Sequence, residues 1–235
     1  MLPEVNNSRK LVCTKQTYCS TQVKLSLASF LLALVTNCWV LDPSLPLLSF
    51  SIALLPTLGV KLAELACLWN LDATQRLNSF TAYCLGLVFL FGLYLQSSFG
   101  IYLCFLAFFH FSEYVATGLG NPRNLSFDSY LVSQCHESEP SISVPIPVLM
   151  QVNHSVQYGV AMVVSWTEHA LWLHLFPSLK SFYLVTILGT IFCLVGEVVR
   201  KSAMLEAGRS FNHLVQSERA DDHTLVTSGI YSWCR

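Results

Sequence analysis

Six runs of apolar sequence, each close to the length that crosses a bilayer, limit what this chain can fold into. They are Leu25–Leu41, about Leu47–Leu65, Phe80–Leu95, Phe99 to about Thr117, Ser155–Phe176 and Phe182–Val199. A helix rises 1.5 Å per residue, so about 20 residues span the hydrocarbon. Within it every peptide N–H and C=O must be satisfied inside its own segment, which selects helices. Composition agrees. Only 11% of the 235 residues are charged and 53% are hydrophobic, whereas soluble domains carry about 25% charged residues. The expectation is an all-α polytopic membrane protein with about six transmembrane helices.

Punctuation between the runs is consistent with that division. Asp42-Pro43 and Pro46 mark a tight turn, Pro56 a kink inside the second span, Gln96-Ser97-Ser98 a short turn, and Pro177-Ser178 the entry to the sixth span. Arg9, Lys10, Lys15 and Lys24 precede the first run, the order a signal peptide also shows. That run is long for a signal sequence, and Asn37-Cys38-Trp39 is a poor small-residue cleavage site, so we read it as a retained helix. Of thirteen Lys and Arg, only Lys180 falls on the side opposite the N-terminus when six spans are threaded. The positive-inside rule then places both termini in the cytosol. Three regions follow: a polar cytosolic N-terminus over 1–24, a helical bundle over 25–199, and a cytosolic segment over 200–235. Residues 133–152, with three prolines and no helical period, read as a disordered loop or insert.

The net charge of −1 and the lack of a basic run exclude nucleic acid as a partner. The nine cysteines include no Cys-x-x-Cys pair, so no metal site is implied, and Cys38, Cys84, Cys104 and Cys193 read as small buried hydrophobes. Few groups remain that carry chemistry. His110 and Glu113 share a helix face, either as a functional pair or as a structural hydrogen bond. Glu168 and His169 interrupt the fifth run and must face protein or water. Glu197 and Arg200 read as a local ion pair at a helix end. The densest polar stretch is the last, where Gln216, His223, Thr224, Thr227 and Ser228 offer donors and acceptors suited to a heterocycle and Gly229 permits a positive-φ turn.

Several motifs, in order, resemble the isoprenylcysteine carboxyl methyltransferase family. They are Phe109-His110-Phe111-Ser112-Glu113-Tyr114, then Asn121-Pro122, Ser126 and Asp128-Ser129, then Asn153-His154-Ser155. Glu197 with Arg200-Lys201, Phe211-Asn212-His213 and the run His223–Tyr231 complete the set. The resemblance implies methyl esterification of the C-terminal prenylcysteine carboxylate of processed CaaX proteins such as small GTPases, in the endoplasmic reticulum membrane. It implies S-adenosylmethionine as cofactor, contacted by Gln216, His223, Thr224, Leu225, Val226 and Tyr231. The family's pattern continues beyond Trp-x-Arg into His-Pro-x-Tyr and two more helices, whereas this sequence stops at Trp233-Cys234-Arg235. The accompanying expectation is a truncated chain that methylates poorly alone. A non-catalytic polytopic membrane protein and a phospholipid methyltransferase are the competing readings.

Overall fold

A computed structural model of the chain describes residues 3–42, 58–59, 61–62, 71–131, 156–176, 183–213 and 224–234. The expected loop at 133–152 and most of the expected second span lie outside these. Five long helices are described: α1 (Pro3–Asn37), α2 (Ala73–Leu95), α3 (Ser98–Gly120), α4 (Val156–Leu175) and α5 (Tyr183–Ala207). Short 3-10 turns occur at Pro122–Asn124, Phe127–Tyr130, Gly208–Ser210 and Gly229–Cys234.

Four segments among the described residues are long and apolar enough to cross a membrane: Cys19–Asn37, Ala73–Leu95, Ser98–Gly120 and Tyr183–Ser210. They coincide with the first, third, fourth and sixth expected spans. The fifth forms helix α4, but Glu168, His169 and His174 dilute its hydropathy and it does not reach the same standard.

Two boundaries differ from the sequence reading. The polar stretch 1–24 is not separated from the first span, because one helix runs through Pro3–Asn37. Between Glu4 and Leu41 there is neither glycine nor proline, so nothing in the backbone interrupts it. Likewise α5 continues past Val199 to Ala207 and stops only where Gly208 turns to φ +51°.

Local sequence sets the hinge between α2 and α3. Asp72 caps α2 through a reciprocal box: its carboxylate accepts from Gln75 N at 2.7 Å, and Gln75 Oε1 accepts from Asp72 N at 3.2 Å. Gln96 closes α2 in the left-handed region (φ 43°), and Ser97 caps α3 by accepting from Gly100 N at 3.1 Å. The expected turn at Gln96-Ser97-Ser98 is therefore present.

α1 packs on α2, α2 on α3, and α3 on α5. The core joins Val23, Phe30, Ala82, Phe111, Tyr114 and Tyr130. The Phe30 and Phe111 rings stack at 4.1 Å, as do those of Tyr114 and Tyr130. Polar seams cross this core. Gln22 Oε1 accepts from Asn78 Nδ2 at 2.6 Å and from the Tyr114 hydroxyl at 2.9 Å. Burial pushes the Tyr130 phenol well up, keeping it a neutral donor to Asn78 O at 3.0 Å. Lys61 donates to both Ser29 and Ser79 at 3.0 Å, joining α1 to α2 through a cation that is 1% exposed. Cys84 and Cys104 are partly buried, but Cys38 and Cys193 are exposed on the apolar exterior, contrary to the sequence reading. In a membrane helix a small apolar side chain has no preference for the interior over lipid.

α2 and α3 come into backbone contact at Gly92 and Gly100, where a Cβ on Gly100 would stand 2.2 Å from Gly92 O. We predict that Gly100→Ala forces the helices apart at a cost of about 1–3 kcal/mol, the usual range for overpacking. Thermal denaturation in detergent checks this. The midpoint should fall for Gly100→Ala and stay put for Gly189→Ala, whose added carbon meets nothing within 4 Å.

Candidate functional site

The polar centre of the molecule lies where the end of α3 meets the end of α5. Glu113, on α3, is 0% exposed. Its carboxylate receives Arg200 Nε at 2.6 Å and Nη2 at 3.1 Å, a two-pronged grip on both oxygens. Lys201 Nζ donates to the same carboxylate, and His213 Nδ1 stands 3.7 Å from Oε2. Phe109 lies beneath both cations, its ring centre 4.8 Å from Lys201 Nζ and 5.4 Å from Arg200 Cζ.

Thr117, one turn further along α3, and Asn121, the cap residue just past its end, continue this contact. The Thr117 hydroxyl donates to Glu113 O at 2.8 Å and sits 3.0 Å from His213 Nε2. A hydroxyl has one proton to give, so it accepts from the imidazole, which fixes a hydrogen on Nε2. Asn121 Nδ2 then donates to Arg209 O at 3.2 Å and Phe211 O at 2.9 Å. Glu113, Thr117 and Asn121 thus form one stripe, at i, i+4 and i+8, facing the chain from Arg200 to His213.

The sequence reading left His110 and Glu113 open between a functional pair and a structural hydrogen bond, and paired Glu197 with Arg200. His110 does not join Glu113. Its Nδ1 is 2.8 Å from Tyr130 O, a structural bond inside the bundle. Arg200 leaves Glu197 for Glu113, and Glu197 instead pairs with Lys201 at 3.3 Å. The reason is burial: Glu113 is 0% exposed, and a wholly unexposed carboxylate needs charge compensation more than the partly buried Glu197 does. The stripe was legible only as a spacing of four between Glu113, Thr117 and Asn121, a signal passed over in favour of the nearer His110. Glu168 and His169 lie on α4, away from the ion cluster. There His169 stacks on Phe99 at 5.1 Å, and both line a cleft of about 150 Å³ with Ser98, Tyr102 and Trp166.

Of the six residues expected at the cofactor, Gln216 and His223 lie outside the described residues. The other four fold back on the end of α5. Thr224 N donates to Ser210 Oγ at 3.1 Å, and the Tyr231 hydroxyl donates to Ala203 O at 3.2 Å. Between them Ser228 donates to Glu206 Oε1 at 2.6 Å. Thr224–Thr227 carries no helical turn, and Leu225 is 91% exposed beside the half-buried Val226.

With this geometry in view, comparison with known proteins points to one family. The family model described as isoprenylcysteine carboxyl methyltransferase matches residues 187–235, a stretch that includes most of α5 and the folded-back strip. A protein-S-isoprenylcysteine O-methyltransferase of Xenopus laevis is 45% identical over 137 residues, 58% of this chain and 41% of its own length. The Mus musculus protein of that name is 43% identical over 157 residues, 64% of this chain and 48% of its own. The solved structure of a eukaryotic intramembrane Ras methyltransferase, isoprenylcysteine carboxyl methyltransferase, superposes with a TM-score of 0.67 at 29% identity, covering 93% of this chain and 72% of that one. The chain is similar to the isoprenylcysteine carboxyl methyltransferases. It spans less than half the length of the two curated relatives named here. In this chain, α5 is therefore both the helix that the family model largely matches and the one that grips Glu113.

Gly229 holds the strip in place. It has φ +55°, and a Cβ there would stand 2.6 Å from Glu206 Cδ. We predict that Gly229→Ala, which meets both the left-handed penalty of about 1–2 kcal/mol and that contact, frees the strip. Hydrogen exchange across 224–234 should then quicken about tenfold, with α2 unchanged.

Proposed function

We propose that this chain carries the cofactor-binding part of an S-adenosylmethionine-dependent methyltransferase that esterifies the C-terminal prenylcysteine carboxylate of processed CaaX proteins, small GTPases among them. The supporting observation is the strip Thr224–Tyr231, folded onto the end of α5 within the stretch that the family model matches. The setting is the endoplasmic reticulum membrane, with about six spans and both termini in the cytosol, so that the strip faces the compartment holding a soluble methyl donor.

The residues fit such a cofactor. A nucleoside needs an apolar face for its base and peptide groups for its edges. Leu225 offers an uncovered apolar side chain within a run of backbone free of helical turns, and the Ser210 and Thr224 hydroxyls stand 3.4 Å apart beside it. Gln216, His223, Thr224, Leu225, Val226 and Tyr231 would hold it. S-adenosylmethionine supplies an electrophilic methyl group on a sulfonium sulfur. A carboxylate acceptor is already ionised at neutral pH, so the protein has no proton to remove from it. What this chain's residues contribute is placement and exclusion of water. The apolar outer faces of α4 and α5, where Val163, Val164, Leu188 and Phe192 are all exposed, suit a bilayer from which a prenyl chain arrives.

Binding of S-adenosylmethionine to the detergent-solubilised chain, followed by calorimetry, tests the reading. We predict that Gln216→Ala and His223→Ala each weaken it about tenfold, since a hydrogen bond contributes about 1 kcal/mol and a charge-assisted one more. Affinity indifferent to both changes would sink the assignment. Displacement of a prenylcysteine analogue by phosphatidylethanolamine in a methyl-transfer assay would favour a phospholipid substrate instead.

A further inference from the structure

We propose that the α3 stripe Glu113–Thr117–Asn121 is the positioning element for the cofactor-binding segment, with Glu113 as its anchor. The inference rests on the proposed function and adds residues to it that lie on a different helix from any expected contact. Three tethers carry it, and each reaches a different part of the chain leading to Gln216. Glu113 fixes the last turns of α5 through Arg200 and Lys201. Asn121 holds the backbone just beyond the helix, at Arg209 O and Phe211 O. Thr117, with Glu113 behind it, holds the His213 imidazole, three residues before Gln216.

The strip itself depends on the same helix end. Its anchors Ala203, Glu206 and Ser210 all follow Arg200 and Lys201 within ten residues. A shift of α5 along α3 therefore moves the strip Thr224–Tyr231 with it. Glu113 is suited to the role because its grip is directional. A guanidinium bound through Nε and Nη2 fixes rotation as well as distance, which a single lysine contact does not. The cluster is close to neutral, with Arg200 and Lys201 set against Glu113 and Glu197, so loss of one carboxylate leaves two cations sharing Glu197. None of the three stripe residues needs to touch the cofactor. They act through the segment they hold.

The test compares wild type, Glu113→Gln, Glu113→Asp and Thr117→Val, each as the full 235-residue chain in detergent, by hydrogen exchange and by S-adenosylmethionine affinity. Glu113→Gln should speed exchange across 208–213 and 224–234 while α2 stays protected, and weaken binding about tenfold. Glu113→Asp should recover part of both. Thr117→Val, which removes one hydroxyl and no charge, should loosen 208–213 and weaken binding less, and it carries the test if Glu113→Gln does not yield a monodisperse protein. A folded variant whose exchange rises but whose affinity is unchanged would overturn the inference, because the contact would then be structural only. Unchanged exchange would overturn it as well. Failure of the wild type itself to bind S-adenosylmethionine would instead remove the proposed function, and the inference with it.

Discussion

The carboxylate of Glu113 is the constraint from which the arrangement of α3 and α5 follows. Placing an ionised group where none of it is exposed costs several kcal/mol unless opposite charge and hydrogen bonds replace the lost water. Here both oxygens are engaged by Arg200, Lys201 shares one of them, and Phe109 offers its ring face to both cations. The compensation comes wholly from the far helix and the chain beyond it. For that reason α5 cannot slide or rotate on α3 without stranding a charge, and the residues beyond it inherit the register.

The rest of the bundle obeys the same logic in milder form. Apolar side chains are as well accommodated by lipid tails as by each other, so the hydrophobic effect alone does not decide which helix faces meet. Small residues and polar pairs decide it. Gly92 and Gly100 let two backbones touch, and Gln22 joins Asn78 to Tyr114 across three helices. Lys61 ties Ser29 to Ser79 in the same way. Each contact specifies one register out of many that would bury equal apolar area.

The same distinction governs what could be read from the sequence. Apolar runs report a solvent, and they placed the first, third, fourth and sixth spans close to where the structure has them. The turn at Gln96–Ser98 was legible because capping chemistry is local. Helix α1 extending back to Pro3 was not, since polarity was taken as a boundary where the backbone offers none. The stretch from Thr224 to Tyr231 stood out by its density of polar groups and by family resemblance, and the structure folds it onto the end of α5. The stripe on α3 was missed for a physical reason. Its three residues are chemically ordinary, and their meaning lies in a partner nearly ninety residues away. Spacing within one helix shows that side chains share a face and is silent on what that face meets.

That separation explains how α5 works as a two-part element along its length. From Tyr183 to Gly196 it presents exposed apolar side chains on most positions, fit for lipid contact and carrying no charge. From Glu197 onward the same helix carries Glu197, Arg200, Lys201 and Glu206, each with a named partner. The change of solvent fixes the depth of the helix, since neither half tolerates the other's surroundings. The bond to Glu113 fixes its rotation. Depth and rotation together determine where Ala203, Glu206 and Ser210 stand, and so where the strip they anchor must lie: at the level where an apolar medium gives way to water. The function proposed above, with a membrane-borne acceptor and a soluble donor, calls for that level.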